Sequence, residues 1–264
     1  MKILLKIRYN GAGYCGFQTQ PNGITVQAVL TEAFSRLFGF PCHVTGCSRT
    51  DSGVHALGFC ATVTPADASV SDTDWCRVPV GRIHRAINVL LPDDIAVIAA
   101  AHVADDFHPR YNVVSKTYEY RIHNAPYRDP FLQHRAHHEP RRIDESALER
   151  MNAIAQLFVG THDFSGFMAA GSSVEDTTRT VYAAHVRRDG EQILYRVEAN
   201  GFLYNMVRIM AGSLIDAAYD RKSAEDIRTA LMGCSRSCAG FTAPPDGLYL
   251  YDVKYDREIR WICL

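Results

Sequence analysis

The run Arg49-Thr50-Asp51-Ser52-Gly53-Val54-His55-Ala56 sets one carboxylate in a short polar segment between two stretches with strand-like alternation. A segment of that composition should form a turn that presents its side chains. A presented carboxylate suits acid–base or nucleophilic chemistry. Asp51-Ser52-Gly53 also matches the D-[ST]-G of aspartic proteases, which need two carboxylates sharing a proton. The chain has no second D-[ST]-G, and polar Arg49-Thr50 precede this one where an apolar strand would be expected. Taken alone, a turn aspartate is a local backbone acceptor. Other residues must decide.

Three further patterns invite chemistry and carry little of it. Gly11-Ala12-Gly13-Tyr14-Cys15-Gly16 matches the dinucleotide-binding G-x-G-x-x-G, but that pattern requires a helix to open directly behind the glycines. Gln18-Thr19-Gln20-Pro21-Asn22-Gly23 follows instead, so these glycines are expected to let something approach the backbone, without a nucleotide cofactor. His134 and His137 stand at helical i, i+3 spacing beside His138, yet no carboxylate or thiol matches them. They are expected to be solvated, and no metal site is expected. The eight cysteines fall at irregular spacings without a C-x-x-C pair, which predicts reduced, mostly buried thiols.

The elements that must position Asp51 follow from periodicity. Ile3, Leu5, Ile7 and Tyr9 alternate with charged residues, predicting a strand over 2–9. Val26, Val29, Leu30, Ala33, Phe34 and Leu37 predict an amphipathic helix. Strands are expected near 43–48, 55–64, 95–103, 115–123 and 248–255. Helices are expected near 77–90, 203–219 and 223–232, with another from an Asp144 N-cap to Phe158 and Gly160 as its stop. Asp189-Gly190 predicts a hairpin over 178–199, and the Asp/Ser/Thr-rich 65–76 reads as a surface insertion. Mixed strands and helices without regular β-α-β order point to an α+β protein with largely antiparallel sheet.

Composition bounds the rest. With 264 residues, 47% hydrophobic and 22% charged, the chain can bury a sizeable core. No run approaches ~18 apolar residues, so no membrane span is expected. Lys6 and Arg8 interrupt the first apolar run too early for a signal peptide, which points to the cytoplasm. The net charge of −1 argues against a sequence-blind nucleic-acid binder. Residues 108–142 nevertheless carry seven Lys or Arg against three Asp or Glu, with five His, enough for a local RNA-holding patch.

Eight segments stand out together: Y-N-G-A-G-Y-C-G-F-Q-T-Q (9–20), C-S-R-T-D-S-G-V-H-A (47–56), F-H-P-R-Y (107–111), S-K-T-Y-E-Y-R (115–121), G-T-H-D-F-S-G-F (160–167), T-T-R-T (177–180), F-L-Y-N-M-V-R-I-M-A-G (202–212) and F-T-A-P-P-D-G-L-Y-L (241–250). With the connecting I-N-V-L-L-P-D-D-I-A-V (87–97), they make the chain resemble the tRNA pseudouridine synthase A family over almost its whole length. Ser48 and Ser52 depart from the family pattern, which usually has Gly and Ala there.

The resemblance implies two α/β lobes, 1–104 and 105–264, whose largely antiparallel sheets form a continuous sheet around a central cleft. It implies isomerisation of uridine to pseudouridine at position 38, 39 or 40 of the tRNA anticodon arm, by a homodimer and with no cofactor. Carried over residue by residue, Asp51 is the catalytic carboxylate, Arg208 its cationic partner and Tyr118 the active-site tyrosine that stacks on uracil. Leu248 packs beside the base and Arg49 lies at the flipped nucleotide. His55, Gln18, Arg110 and Arg179 are weaker RNA-contact candidates, and Arg82, Arg85, Lys116 and Arg121 add possible phosphate contacts. Two other classes remain open: a catalytically inactive RNA-binding protein of the same fold, and a glycosidase-like hydrolase with Asp163 as a second carboxylate.

Overall fold

The computed structural model describes residues 2–67, 70, 75–171, 174–233 and 235–263. Its elements run β1 (Lys2–Tyr9), α1 (Val26–Phe38), β2 (Cys42–Gly46), β3 (His55–Pro65), α2 (Val80–Asn88), β4 (Ile95–Val103), β5 (Val113–His123) and β6 (His137–His138). They continue with α3 (Glu145–Leu157), β7 (Gly160–Asp163), β8 (Thr178–Asp189), β9 (Gln192–Ala199), α4 (Met206–Ala218), α5 (Ala224–Leu231), β10 (Leu248–Tyr255) and β11 (Ile262–Cys263). No helix among the described residues is long and apolar enough to cross a membrane.

Residues 2–114 with 250–263 form one compact unit, and residues 115–249 a second. The expected division near residue 105 therefore differs from the packed one by about ten residues, and the C-terminal segment from Leu250 returns to the first unit. It does so because β10 takes a place beside β3.

In the first unit the strand order is β11-β4-β1-β3-β10, with β2 also on β3. β1 lies antiparallel to both β3 and β4. Leu4 is buried together with Ile3, Leu5 and Ile7, so both faces of this strand are covered over its centre and its apolar residues go beyond strict alternation. Each such side chain contributes roughly 1.5–3 kcal/mol by leaving water. α1 starts where the Thr25 hydroxyl accepts from Ala28 N and stops at Gly39 in the left-handed conformation. Its buried stripe is Val26, Leu30, Ala33 and Phe34.

The second unit orders its strands β5-β9-β8-β7, antiparallel throughout, with β6 parallel to β5. Its α3 packs on β8 and α4. Asp144 caps α3 as expected, its carboxylate accepting from Ala147 N at 2.8 Å. The β8–β9 hairpin turns at Gly190, φ +59°. Both units are α+β with largely antiparallel sheet.

Several expectations shift on packing. Residues 68, 69 and 71–74 of the insertion lie outside the described residues, but Trp75 is core, edge-on to Phe38 at 5.1 Å. The helix expected over 203–219 begins only at Met206, because Asn205 is left-handed. Gly160, expected as a helix stop, opens edge strand β7 at φ +115°. His137 and His138 are half-buried in β6 and not solvated; burial pushes the His137 pKa below its ordinary value. Cys42, Cys47 and Cys60 are buried, Cys15, Cys76 and Cys238 half-buried and Cys263 exposed; Cys234 lies outside the described residues.

Candidate active site

In the first unit the 50–55 turn is bonded almost residue by residue to the loop that follows β1. The Tyr9 and Thr50 hydroxyls share a bond of 2.7 Å, and Phe17 N donates to Thr50 O at 3.1 Å. Gly53 N donates to Tyr14 O at 3.3 Å, and Gly11 N to His55 Nδ1 at 3.0 Å. The turn closes on itself through Val54 N to Asp51 O, 3.2 Å. Phe17, stacked on Phe59 of β3 with ring centres 4.2 Å apart, anchors the loop to the core.

Two glycines make this approach possible, as expected of residues that let something come close to the backbone. A Cβ at Gly11 would stand 2.0 Å from Val54 O, and one at Gly16 would stand 2.7 Å from Thr50 O. Gly16 also has φ +81°, which costs a side-chain-bearing residue. The stretch behind them becomes helical only at Val26. What approaches the glycine-rich loop is the backbone of the Asp51 turn.

Asp51 is half-buried and Arg49 is exposed, so the turn offers a carboxylate with a guanidinium two residues away. His55, expected as an RNA contact, is buried with Nδ1 committed to Gly11 N; the structure makes it part of the turn's support. Gln18 is exposed on the same loop. Arg110 is half-buried beyond β4, with Nε buried and without a hydrogen-bond partner among the described residues.

The second unit holds Arg208 differently. Nearly every residue of α4 is buried, and Arg208 is the exception. Its Nε donates to Ala243 O and its Nη1 to Asn205 Oδ1, both at 2.7 Å. Ala243 N returns a bond to Arg208 O at 3.1 Å. Asn205, φ +58°, tolerates the left-handed turn that puts its amide oxygen there. Neither Asn205 nor Ala243 was singled out from sequence; an Asn just ahead of a helical stripe was the available signal.

Tyr118 of β5 is buried, edge-on to Phe202 at 5.0 Å. Leu248 is buried at the start of β10. Arg179 of β8 donates to Asp176 O at 2.9 Å and Thr178 O at 2.6 Å. Arg121, expected as a phosphate contact, is engaged inside its own unit, 2.9 Å from Glu119 and stacked over Tyr249 at 4.0 Å. Asp163 accepts from Thr177 Oγ1 and Ser165 N, and these bonds lower its pKa. These bonds fasten the loop that follows β7.

A family model described as tRNA pseudouridine synthase matches residues 6–112 and 154–256. A protein of Exiguobacterium sp. called tRNA pseudouridine synthase A is 39% identical over 256 residues, covering 97% of this chain and 98% of its own. One of the same name from Thermoanaerobacter sp. is 38% identical over 253 residues, covering 96% and 99%. Another from Ruminiclostridium cellulolyticum is 39% identical over 255 residues, with the same coverage.

Proposed function

The chain belongs to the tRNA pseudouridine synthase family, and from that premise we propose that it isomerises uridine to pseudouridine at position 38, 39 or 40 of the tRNA anticodon arm, with Asp51 as the essential carboxylate. The observation that carries this reading is the Asp51 turn, whose backbone is bonded to the glycine-rich loop on both sides of the carboxylate. A catalytic group held before substrate arrives has no positioning entropy left to lose.

The reaction is atom-balanced within one nucleotide. The N1–C1′ bond breaks, the uracil turns, C5 bonds to C1′, the C5 proton leaves and N1 takes up a proton. No electrons and no external group enter. An ionised carboxylate serves by attacking C1′, by attacking C6 or by taking a proton from C2′; each route needs Asp51 charged while the base lies in a pocket. Desolvation opposes that charge unless a cation answers it. Arg208 is assigned that part, and its hydrogen-bonded, oriented guanidinium supports the assignment.

A base must leave its stack to react. Tyr118 stacks on the flipped uracil and Leu248 packs beside it. Arg49, exposed next to Asp51, takes the phosphate of the flipped nucleotide. Gln18, Arg110 and Arg179 make further RNA contacts, with His55 acting through the turn. The same reading carries a homodimer working in the cytoplasm, supported by family membership and by the tRNA substrate.

The test is tritium release from tRNA labelled at uridine C5, comparing the protein with Asp51→Asn. Release by the first and none by the second, with tRNA binding retained, is expected. Binding without release by either would replace the enzyme with a catalytically inactive RNA-binding protein of the same fold.

A further inference from the structure

The Asp51 turn has one fastening that the proposed chemistry does not use. Tyr14 is buried, and its phenol donates to Asp94 Oδ1 at 2.5 Å. Burial, reinforced by that bond and by the nearby carboxylate charge, raises the phenol pKa, so Tyr14 remains a donor at working pH. The Asp94 carbonyl accepts from Asn10 N at 2.9 Å, so the turn leading into β4 grips the glycine-rich loop at two points. The Tyr14 carbonyl in turn accepts two bonds from the residues directly after Asp51. One is from Gly53 N at 3.3 Å and the other from Ser52 Oγ at 3.2 Å.

We propose that Asp94, Tyr14 and Ser52 form a strap that fixes the direction of the Asp51 carboxylate, making Tyr14 and Ser52 positioning residues for the isomerisation; this rests on the isomerase reading above. The geometry separates the strap from ordinary core packing. The phenol is anchored at its far end while the same residue's carbonyl holds the turn, so slack at Asp94 passes directly to Ser52 and Gly53. The other attachments of the turn, at Thr50 and His55, lie on either side of this pair, so among the described residues Tyr14 is the part of the glycine-rich loop that holds residues 52–53. Ser52 is exposed and its hydroxyl is spent on Tyr14 O, which leaves room for a threonine but gives alanine nothing to donate.

The experiment measures steady-state tritium release for Tyr14→Phe, Ser52→Ala and Ser52→Thr, together with amide hydrogen exchange at Gly53. Tyr14→Phe is expected to lower kcat about tenfold and Ser52→Ala roughly three- to fivefold, with KM for tRNA unchanged. Ser52→Thr restores most of the loss. Gly53 should exchange faster in the Phe and Ala variants while β1 amides keep their protection. Unchanged kcat in both variants, a rise in KM alone, or unaltered Gly53 exchange would overturn the strap while wild-type release upholds the isomerase. A wild type that releases no tritium overturns the isomerase reading itself, and with it any catalytic part for the strap.

Discussion

The turn carrying Asp51 and the helix carrying Arg208 solve one problem, a charged side chain held still, by opposite means. The centre of the turn, Asp51, Ser52 and Gly53, is not buried, so hydrogen bonds from the glycine-rich loop fix its backbone. Helix α4 is fixed by burial over nearly its whole surface, and hydrogen bonds to Ala243 and Asn205 then set the guanidinium. A loop is therefore intolerant of backbone change, and a buried helix of change at the head group. That difference is measurable.

The largest effect is expected where the rigid backbone meets the reacting group. Asp51→Glu keeps the charge and adds one methylene, and a turn bonded on both sides has no room to draw back. Tritium release should fall roughly 100-fold or more, with folding intact by circular dichroism. Full activity would mean that the turn is softer than its bonds imply.

Arg208→Lys tests the helix side. Lysine keeps the charge but offers no planar fork to Ala243 O and Asn205 Oδ1, so the cation loses its direction. Release should fall about 10- to 100-fold with little change in melting temperature. A large loss of stability would show instead that Arg208 secures the helix end.

Gly16→Ala moves the test back to the backbone of the loop. With φ +81° and a Cβ 2.7 Å from Thr50 O, the variant should lose about 1–3 kcal/mol by urea unfolding and lose activity with it. An unchanged midpoint would refute the close approach.

The smallest effect is on pH dependence in the second unit. Burial, the largest cause, holds the His137 pKa below its ordinary 6.5. The folded state then binds fewer protons than the unfolded one, so stability is full above about pH 6.5 and declines as pH falls toward the depressed value. His137→Gln should flatten that decline between pH 7 and 5, read from urea midpoints. A decline of unaltered slope would assign it elsewhere.

How far the sequence reached depended on how local each device is. The Asp144 cap of α3, the Asp189-Gly190 turn and the α1 stripe all rest on residues a few positions apart, and the structure reproduces them. Edge strands β6 and β7 escaped because two histidines and a polar G-T-H-D have no alternation to read. Trp75 escaped because its polar neighbours masked a side chain that packs on Phe38.

Residue type and order alone determined the α+β class, the Asp51 turn and, through eight ordered segments, the family. Tertiary structure alone decided what approaches the glycines, since the bonds from Gly11 to His55 and from Phe17 to Thr50 join segments dozens of residues apart. It likewise decided that Arg208 is gripped by Asn205 and Ala243, that His55 supports the turn, and that β10 returns to β3. Local periodicity records which face of an element is buried, whereas a hydrogen bond between distant loops leaves no period in the chain and exists only once both are folded.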